Sequence, residues 1–214
     1  MKSSNRHVFI EVLILLIVMT VLSLLVPAIK GPLEILVVIY FIVERFLRHR
    51  TWTEIGFKPK TFIKDLLTNW WLVALVGFVT QLIPILIAKT ILPENLAHIH
   101  ERLPLNISGS IGILAISLLF ATLAEELVYR ALFQERLAWG LGTPLALVLV
   151  ALVFAGMHWA PGNAWVVFTD LAFVAIDAVI YGAIFARCKN IFVSWLAHFL
   201  ADVVGLALII ALLH

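Results

Sequence analysis

Long uncharged stretches alternate with short polar segments along this chain, and the stretches have the length of membrane spans. Apolar runs occupy approximately residues 8–29, 32–47, 66–92, 109–134, 143–160, 164–187 and 190–213. A helix rises 1.5 Å per residue, so runs of this size cross, or nearly cross, a hydrocarbon core of about 30 Å. Inside lipid the backbone must satisfy its own polar groups, which favours helices. The pattern predicts an all-α, polytopic transmembrane bundle of about seven spans. Pro27, Pro32, Pro93, Pro104, Pro144 and Pro161 sit at or between the ends of the runs, where a missing N–H does least harm. Pro84 lies inside the third run and predicts a kink. Residues 48–64 mix Arg48, Arg50, Lys58, Lys60 and Lys64 with Trp52, Ile55, Phe57 and Phe62. That mixture predicts an interfacial segment after the second span, with an ordinary basic loop as the alternative. No internal repeat divides the chain, so residues 1–214 are expected to form a single membrane domain.

Composition removes the soluble alternatives. Hydrophobic residues make up 63% of the chain and charged residues 13%, against roughly 45–50% and 25% in soluble domains. Membrane lipid is therefore an expected partner. A net charge of +2, with no basic run interleaved with aromatics, argues against nucleic acid. The lone cysteine, Cys188, excludes an intramolecular disulfide. Lys2 and Arg6 precede the first run as they would in a secretory signal. However, the 18 residues from Val12 to Ile29 carry no charge, and Val26-Pro27-Ala28-Ile29-Lys30 offers no small-x-small cleavage site. A retained first span is expected. With the N-terminus inside, the inner side collects Lys2, Arg6, Arg45, Arg48, Arg50, Lys58, Lys60, Lys64, Arg136, Arg187 and Lys189. The outer side then holds only Lys30, Lys89 and Arg102. This asymmetry predicts a cytoplasmic N-terminus.

Charges at mid-membrane depth cost roughly 2.5–3.5 kcal/mol each on insertion scales and usually mark function. The fourth run carries Ala124-Glu125-Glu126-Leu127-Val128-Tyr129-Arg130. Glu126 and Arg130 are spaced i,i+4 and share a helix face, so they can pair. Glu125 is rotated about 100° away and stays free to take a proton. The fifth run supplies Phe154-Ala155-Gly156-Met157-His158, and the seventh supplies His198-Phe199-Leu200-Ala201-Asp202, again with an i,i+4 pair. Counted from the inner ends of their spans, Glu125 lies about 20 Å deep, His158 about 22 Å, His198 about 12 Å and Asp202 about 18 Å. Antiparallel spans thus bring these groups to similar depth.

Glu-Glu-x-x-x-Arg, then Phe-x-x-x-His, then His-x-x-x-Asp on three separate spans resembles the motif set of the CPBP intramembrane proteases. That group includes type II CAAX prenyl endopeptidases and bacterial bacteriocin-processing or self-immunity proteins. The resemblance covers a core at roughly residues 109–204. It implies an endopeptidase acting on a membrane-associated peptide or protein, and it suggests a bacterial cell membrane. By that resemblance Glu125 is the general base, with His158 holding and polarising the attacking water. Glu126 with Arg130 orients the site, while His198 and Asp202 bind a metal or stabilise the oxyanion. The family often has Asn where this chain has Asp202, and an ionised Asp cannot donate a hydrogen bond.

The residue types themselves suit peptide hydrolysis, which needs an activated water, a proton acceptor and stabilisation of an oxyanion. They also admit a divalent metal such as zinc on His158, His198 and Glu125. His-Glu-x-x-His is absent, so the sequence leaves metal-assisted and metal-free chemistry both open. Two other classes compete: a non-catalytic peptide-binding immunity protein, and a proton-coupled transporter, which would show paired broken helices. Asp177 lies level with the site and suits either an imidazole partner or an interhelical hydrogen bond. Asp170 is expected at the outer interface, and His98-x-His100 in an outer loop with incidental polarity. Ala178, Gly182 and Ala186 form a small-residue packing face. Trp70, Trp71, Trp139, Trp159 and Trp165 sit near run ends as interfacial anchors.

Overall fold

The apolar runs become helices throughout the computed structural model, which describes residues 3–102 and 111–213. In chain order these are α1 (Ser3–Leu25), α2 (Lys30–Leu47), α3 (Phe62–Ala74), α4 (Thr80–Thr90) and α5 (Glu94–Arg102). They are followed by α6 (Ile111–Glu126), α7 (Glu135–Leu141), α8 (Thr143–Gly156), α9 (Ala164–Cys188) and α10 (Ile191–Leu213). Two π-helical stretches, Leu75–Val79 and Leu127–Gln134, join α3 to α4 and α6 to α7. Among the described residues there is no strand.

Five stretches of the described residues are long and apolar enough to cross a membrane: Asn5–Leu25, Pro59–Thr90, Gly112–Leu141, Ala164–Cys188 and Ile191–Leu212. The two remaining runs are helical but lesser. α8 has 14 residues, and α2 carries Lys30, Glu34, Glu44 and Arg45 within its 18. Length and charge, rather than helicity, separate these two from the full spans. The segment between α2 and α3 is a run of turns ending in a short 3-10 turn at Pro59–Thr61.

In lipid the helices gain little by hiding apolar groups from a solvent that is itself apolar, so close packing and polar contacts hold them together. Three glycines show how close. A Cβ added at Gly140 would stand 2.6 Å from the Phe9 ring, and one at Gly77 2.7 Å from the Leu200 side chain. One at Gly182 would stand 2.7 Å from Gln134 Oε1, whose amide donates to the Gly182 carbonyl at 2.8 Å. The small-residue face of α9 is thus a packing face. Ala178, on the same face, is buried and lends its carbonyl to Arg130.

One end of the bundle is tied together by charge. Glu44 is buried and its carboxylate meets Arg50 at 2.9 Å, Arg136 at 3.4 Å and Arg48 at 3.5 Å. Arg136 is itself 1% exposed, so α2, the turn segment and α7 share one buried carboxylate. Nearby, Asn190 donates to the Lys58 carbonyl at 2.9 Å and to Asp65 at 2.8 Å, while Gly56, at φ 95°, accepts from the Ile191 N–H at 2.9 Å. These contacts fix the turn segment against the start of α10, the helix that carries His198. Removing a single partner from a buried ion pair leaves an uncompensated charge, at a cost of about 3–5 kcal/mol. Glu44→Ala should therefore lower the thermal midpoint of the detergent-solubilised protein markedly, whereas Glu44→Gln should lower it less. An unchanged midpoint for the alanine variant would remove Glu44 from the forces that hold this end together.

Candidate active site

α6 runs α-helical as far as Glu126 and then widens into the π-helical stretch, all eight residues of which are buried. A π turn is rare and frequently marks a functional site. It keeps Glu126 and Arg130 adjacent: Arg130 Nε lies 3.4 Å from Glu126 Oε1, and the two side chains are 1% and 0% exposed. Arg130 also donates to the Ala178 carbonyl of α9 at 3.4 Å. Its guanidinium lies 4.7 Å from the centre of the Phe154 ring and 5.3 Å from that of Tyr181. Long polar contacts and two aromatic rings share the load of a cation in a low-dielectric site.

Glu126 Oε1 also contacts His198 Nδ1, at 3.0 Å. The other nitrogen of this imidazole, Nε2, stands 3.5 Å from Glu125 Oε2 and 3.8 Å from Asp202 Oδ1. The ring stacks on Tyr181, with centroids 4.4 Å apart and planes at 20°. His198 is held along both of its axes: Glu126 fixes the rotation of the ring and Tyr181 its plane. Glu125 and Glu126, adjacent in sequence, have different surroundings. Glu126 is sealed in the interior, whereas the Glu125 side chain is 18% exposed and lines a cavity of about 760 Å³.

His158 lies just beyond the end of α8, in the turn that closes it. Its Nδ1 sits 2.7 Å from the Phe154 carbonyl. A carbonyl only accepts, so Nδ1 carries the proton and, in the neutral ring, Nε2 keeps a lone pair. Phe154 is the common neighbour of the site: its ring centre is 4.5 Å from His158, 5.7 Å from His198 and 4.9 Å from Tyr129. The Phe-x-x-x-His spacing thus places an aromatic ring against both histidines and the arginine.

The structure brings all six motif residues together. Glu125, His158, His198 and Asp202 line the cavity, and Glu126 and Arg130 support it from behind. The wall also holds residues that the motifs did not indicate. Tyr181 stacks on His198. Gln81 donates to Asp177 at 2.8 Å, so the partner of Asp177 is an interhelical amide on α4. Lys30 donates to the Met157 carbonyl at 2.9 Å. Glu34, one turn along α2 from Lys30, lies within electrostatic reach of Glu125 and has one carboxylate oxygen buried without a hydrogen bond. The i,i+4 spacing of Lys30, just before the second apolar run, and Glu34, just inside it, was the available signal for these two; nothing in the spacing pointed to Gln81.

Two expectations at the outer side are corrected. His98 lies on a helix, α5, and is 8% exposed; Asp170 is 4% exposed and buried. Their side chains meet at 3.6 Å at the rim of the cavity, beneath Gly162, where a Cβ would stand 3.0 Å from His98 Nδ1. α5 folds back on α9, which converts loop and interfacial polarity into a buried pair. The side chain of His100 lies outside the described residues.

Both site histidines present Nδ1 to an acceptor, as metal-binding imidazoles commonly do. However, among the described residues no three His, Cys, Asp or Glu side chains form a group that could hold an ion. As placed, His158, His198 and Glu125 do not fit one.

Fold and site define a polytopic membrane protein whose acid–base groups face a cavity between its helices. Residues 107–204, the segment that carries all six motif residues, match the family described as Type II CAAX prenyl endopeptidase Rce1-like. Comparison with curated proteins and with solved structures gave no match.

If Arg130 neutralises Glu126, its loss must be felt in folding. Arg130→Leu should reduce the folded yield and lower the thermal midpoint by the equivalent of about 3–5 kcal/mol, since Glu126 would remain buried without its cation, beside His198 and Ser194. Normal yield and an unchanged midpoint would show that the pair is dispensable.

Proposed function

We propose that the protein is an intramembrane endopeptidase in which Glu125 activates the attacking water. One observation carries this reading above the others. Glu125 faces the cavity 3.5 Å from an imidazole whose far nitrogen is anchored on the fully buried Glu126. The chain Arg130–Glu126–His198 follows the orienting logic of catalytic triads, in which a buried carboxylate fixes the tautomer and direction of a histidine.

In this mechanism a water in the cavity gives a proton to Glu125 as its oxygen bonds to the scissile carbonyl carbon. The lone pair on His158 Nε2 accepts the other hydrogen of that water and aims it. The carbonyl oxygen becomes an oxyanion, and His198, protonated on both nitrogens between its carboxylates, donates from Nε2 to it. Collapse of the tetrahedral centre breaks the C–N bond, and Glu125 returns its proton to the leaving amine. Asp202, near the same Nε2, holds the imidazolium charge. An ionised Asp202 is not itself an oxyanion donor.

Apolar side chains surround the polar floor of the cavity, among them Leu24, Leu114, Phe173, Leu206 and Ile209. They suit a peptide carrying an apolar group, in keeping with the prenyl endopeptidase description of the family. The arginine- and lysine-rich end held by Glu44 and Asn190 is the cytoplasmic end in this reading, by the positive-inside rule.

The test is to map new protein termini in membranes from cells expressing wild type or Glu125→Gln. The glutamine variant is nearly isosteric but cannot take the proton. Its rate on any substrate so found should fall roughly 10²- to 10⁴-fold, the usual contribution of a general base. Equal termini in the two membranes would defeat the endopeptidase reading. A further measurement bears on the metal: an active preparation is expected to contain far less than one metal ion per chain by elemental analysis. Activity that tracks bound metal and returns with added zinc would overturn the metal-free mechanism.

A further inference from the structure

Lys30 is the cation on the cavity wall that the mechanism leaves without a task. The chain leaves α1, turns through a short 3-10 stretch at Pro27–Ile29 and enters α2 at Lys30, whose N–H bonds to the Pro27 carbonyl. The first residue of a helix is a poor place for a cation, because the helix dipole is positive there. What Lys30 meets is the opposite end of another helix. Its ammonium donates to the Met157 carbonyl at 2.9 Å, and Met157 caps the C-terminal end of α8. That end carries the negative pole of the α8 dipole and the carbonyls left without intrahelical partners.

His158 is built into the same turn. Its N–H bonds to the Ala155 carbonyl at 2.9 Å and its ring Nδ1 to the Phe154 carbonyl at 2.7 Å. Two of the last carbonyls of α8 are thus taken by side chains, that of Phe154 by the imidazole and that of Met157 by Lys30. The Met157 carbonyl belongs to the peptide unit that ends at the His158 nitrogen, and a peptide unit is planar and stiff. A bond to that oxygen therefore fixes the plane from which the His158 side chain starts. Gly156, one residue earlier, adds no such restraint: a Cβ there would meet nothing within 4 Å. α2 is anchored in turn at its far end, where buried Glu44 meets Arg50 and Arg136, so Lys30 is presented on a fixed helix. Lys30, Met157 and His158 all line the cavity, and Lys30 lies outside the segment 107–204 that matches the family.

We infer that Lys30 is a positioning residue for His158: by holding the Met157 carbonyl it sets the direction in which the imidazole meets the attacking water. Without that bond the Met157–His158 peptide unit is free to rock, and the lone pair on Nε2 loses its aim although the ring itself is intact. The inference rests on the endopeptidase reading above and adds to it a residue of α2, which makes the N-terminal helices part of the working site.

The experiment uses the purified full chain in detergent micelles, as wild type, Lys30→Met, Lys30→Arg and Glu125→Gln. Nuclear magnetic resonance of nitrogen-labelled histidine reports the ring directly, the His158 signals being those lost in His158→Gln. Wild type should show His158 as the Nδ1–H tautomer. Lys30→Met should move that signal toward the tautomer mixture of a free imidazole while the His198 signal stays in place. On a substrate found by the terminus mapping above, Lys30→Met should lower kcat roughly 10- to 100-fold with KM little changed, the cost of a small misplacement near the reacting atoms. Lys30→Arg still donates to the carbonyl and should recover most of the loss. An unmoved His158 signal, an unchanged kcat, or a rise in KM alone overturns the inference, and cleavage by wild type but not by Glu125→Gln then leaves the endopeptidase reading standing. Equal cleavage by wild type and Glu125→Gln overturns that reading and the inference with it. Should Lys30→Met not be recovered folded, Lys30→Gln, uncharged and one atom shorter, should give the same signal shift and loss of kcat, and wild-type values for it overturn the inference.

Discussion

A guanidinium and a carboxylate buried together in the membrane domain can survive only as partners, and the contacts around Arg130 and Glu126 follow from that constraint. The π-helical stretch after α6 presents both side chains inward. α9 answers Arg130 with the Ala178 carbonyl and the Tyr181 ring, and α8 with Phe154. α10 answers Glu126 with His198. Four helices are thereby held at one point by groups that none of them could leave exposed to lipid. The imidazole is oriented as a consequence of keeping the ion pair satisfied, so the requirement for a stable fold and the requirement for a directed histidine are met by the same atoms.

The adjacent glutamates divide the work through their position on the helix. A rotation of about 100° between neighbours puts Glu126 in the interior and Glu125 on the cavity wall. Close packing maintains that difference. Gly77, Gly140 and Gly182 let side chains of neighbouring helices approach until an added Cβ would overlap them. The two π-helical stretches lie where this matters most. One carries Arg130, and the other offers the Val76 carbonyl to Thr80 and Gln81 at the opposite wall.

Charges far from the site serve a different end. Glu44 gathers three arginines, and Asn190 ties the turn segment to α10, at the end of the bundle where basic residues crowd. Position along the helices distinguishes these groups from the candidate site: Glu44, Arg48 and Arg50 lie at or just past the end of α2, whereas Glu125 and His198 lie inside the candidate spans Gly112–Leu141 and Ile191–Leu212. The buried His98–Asp170 pair at the opposite end depends on α5 folding back onto α9, and an alternating His-x-His in a polar segment gave no hint of it.

The helical membrane class, the places of the runs and the grouping of Glu125, Glu126, Arg130, His158, His198 and Asp202 were legible in the chain because each rests on local physics. Apolar length, i,i+4 spacing and the cost of a charge in lipid are properties of a segment and need no knowledge of its neighbours. The widening of two helices into π turns, the choice of Gln81 as the partner of Asp177, the stacking of Tyr181 on His198 and the approach of Lys30 and Glu34 to the cavity are decided between helices. Those features depend on which faces meet and at what rotation. In a bundle whose outward faces are as apolar as its inward ones, hydrophobic patterning carries almost no record of that choice. Only the packing of small residues and the pairing of buried polar groups select it, and both exist only once the tertiary structure has formed.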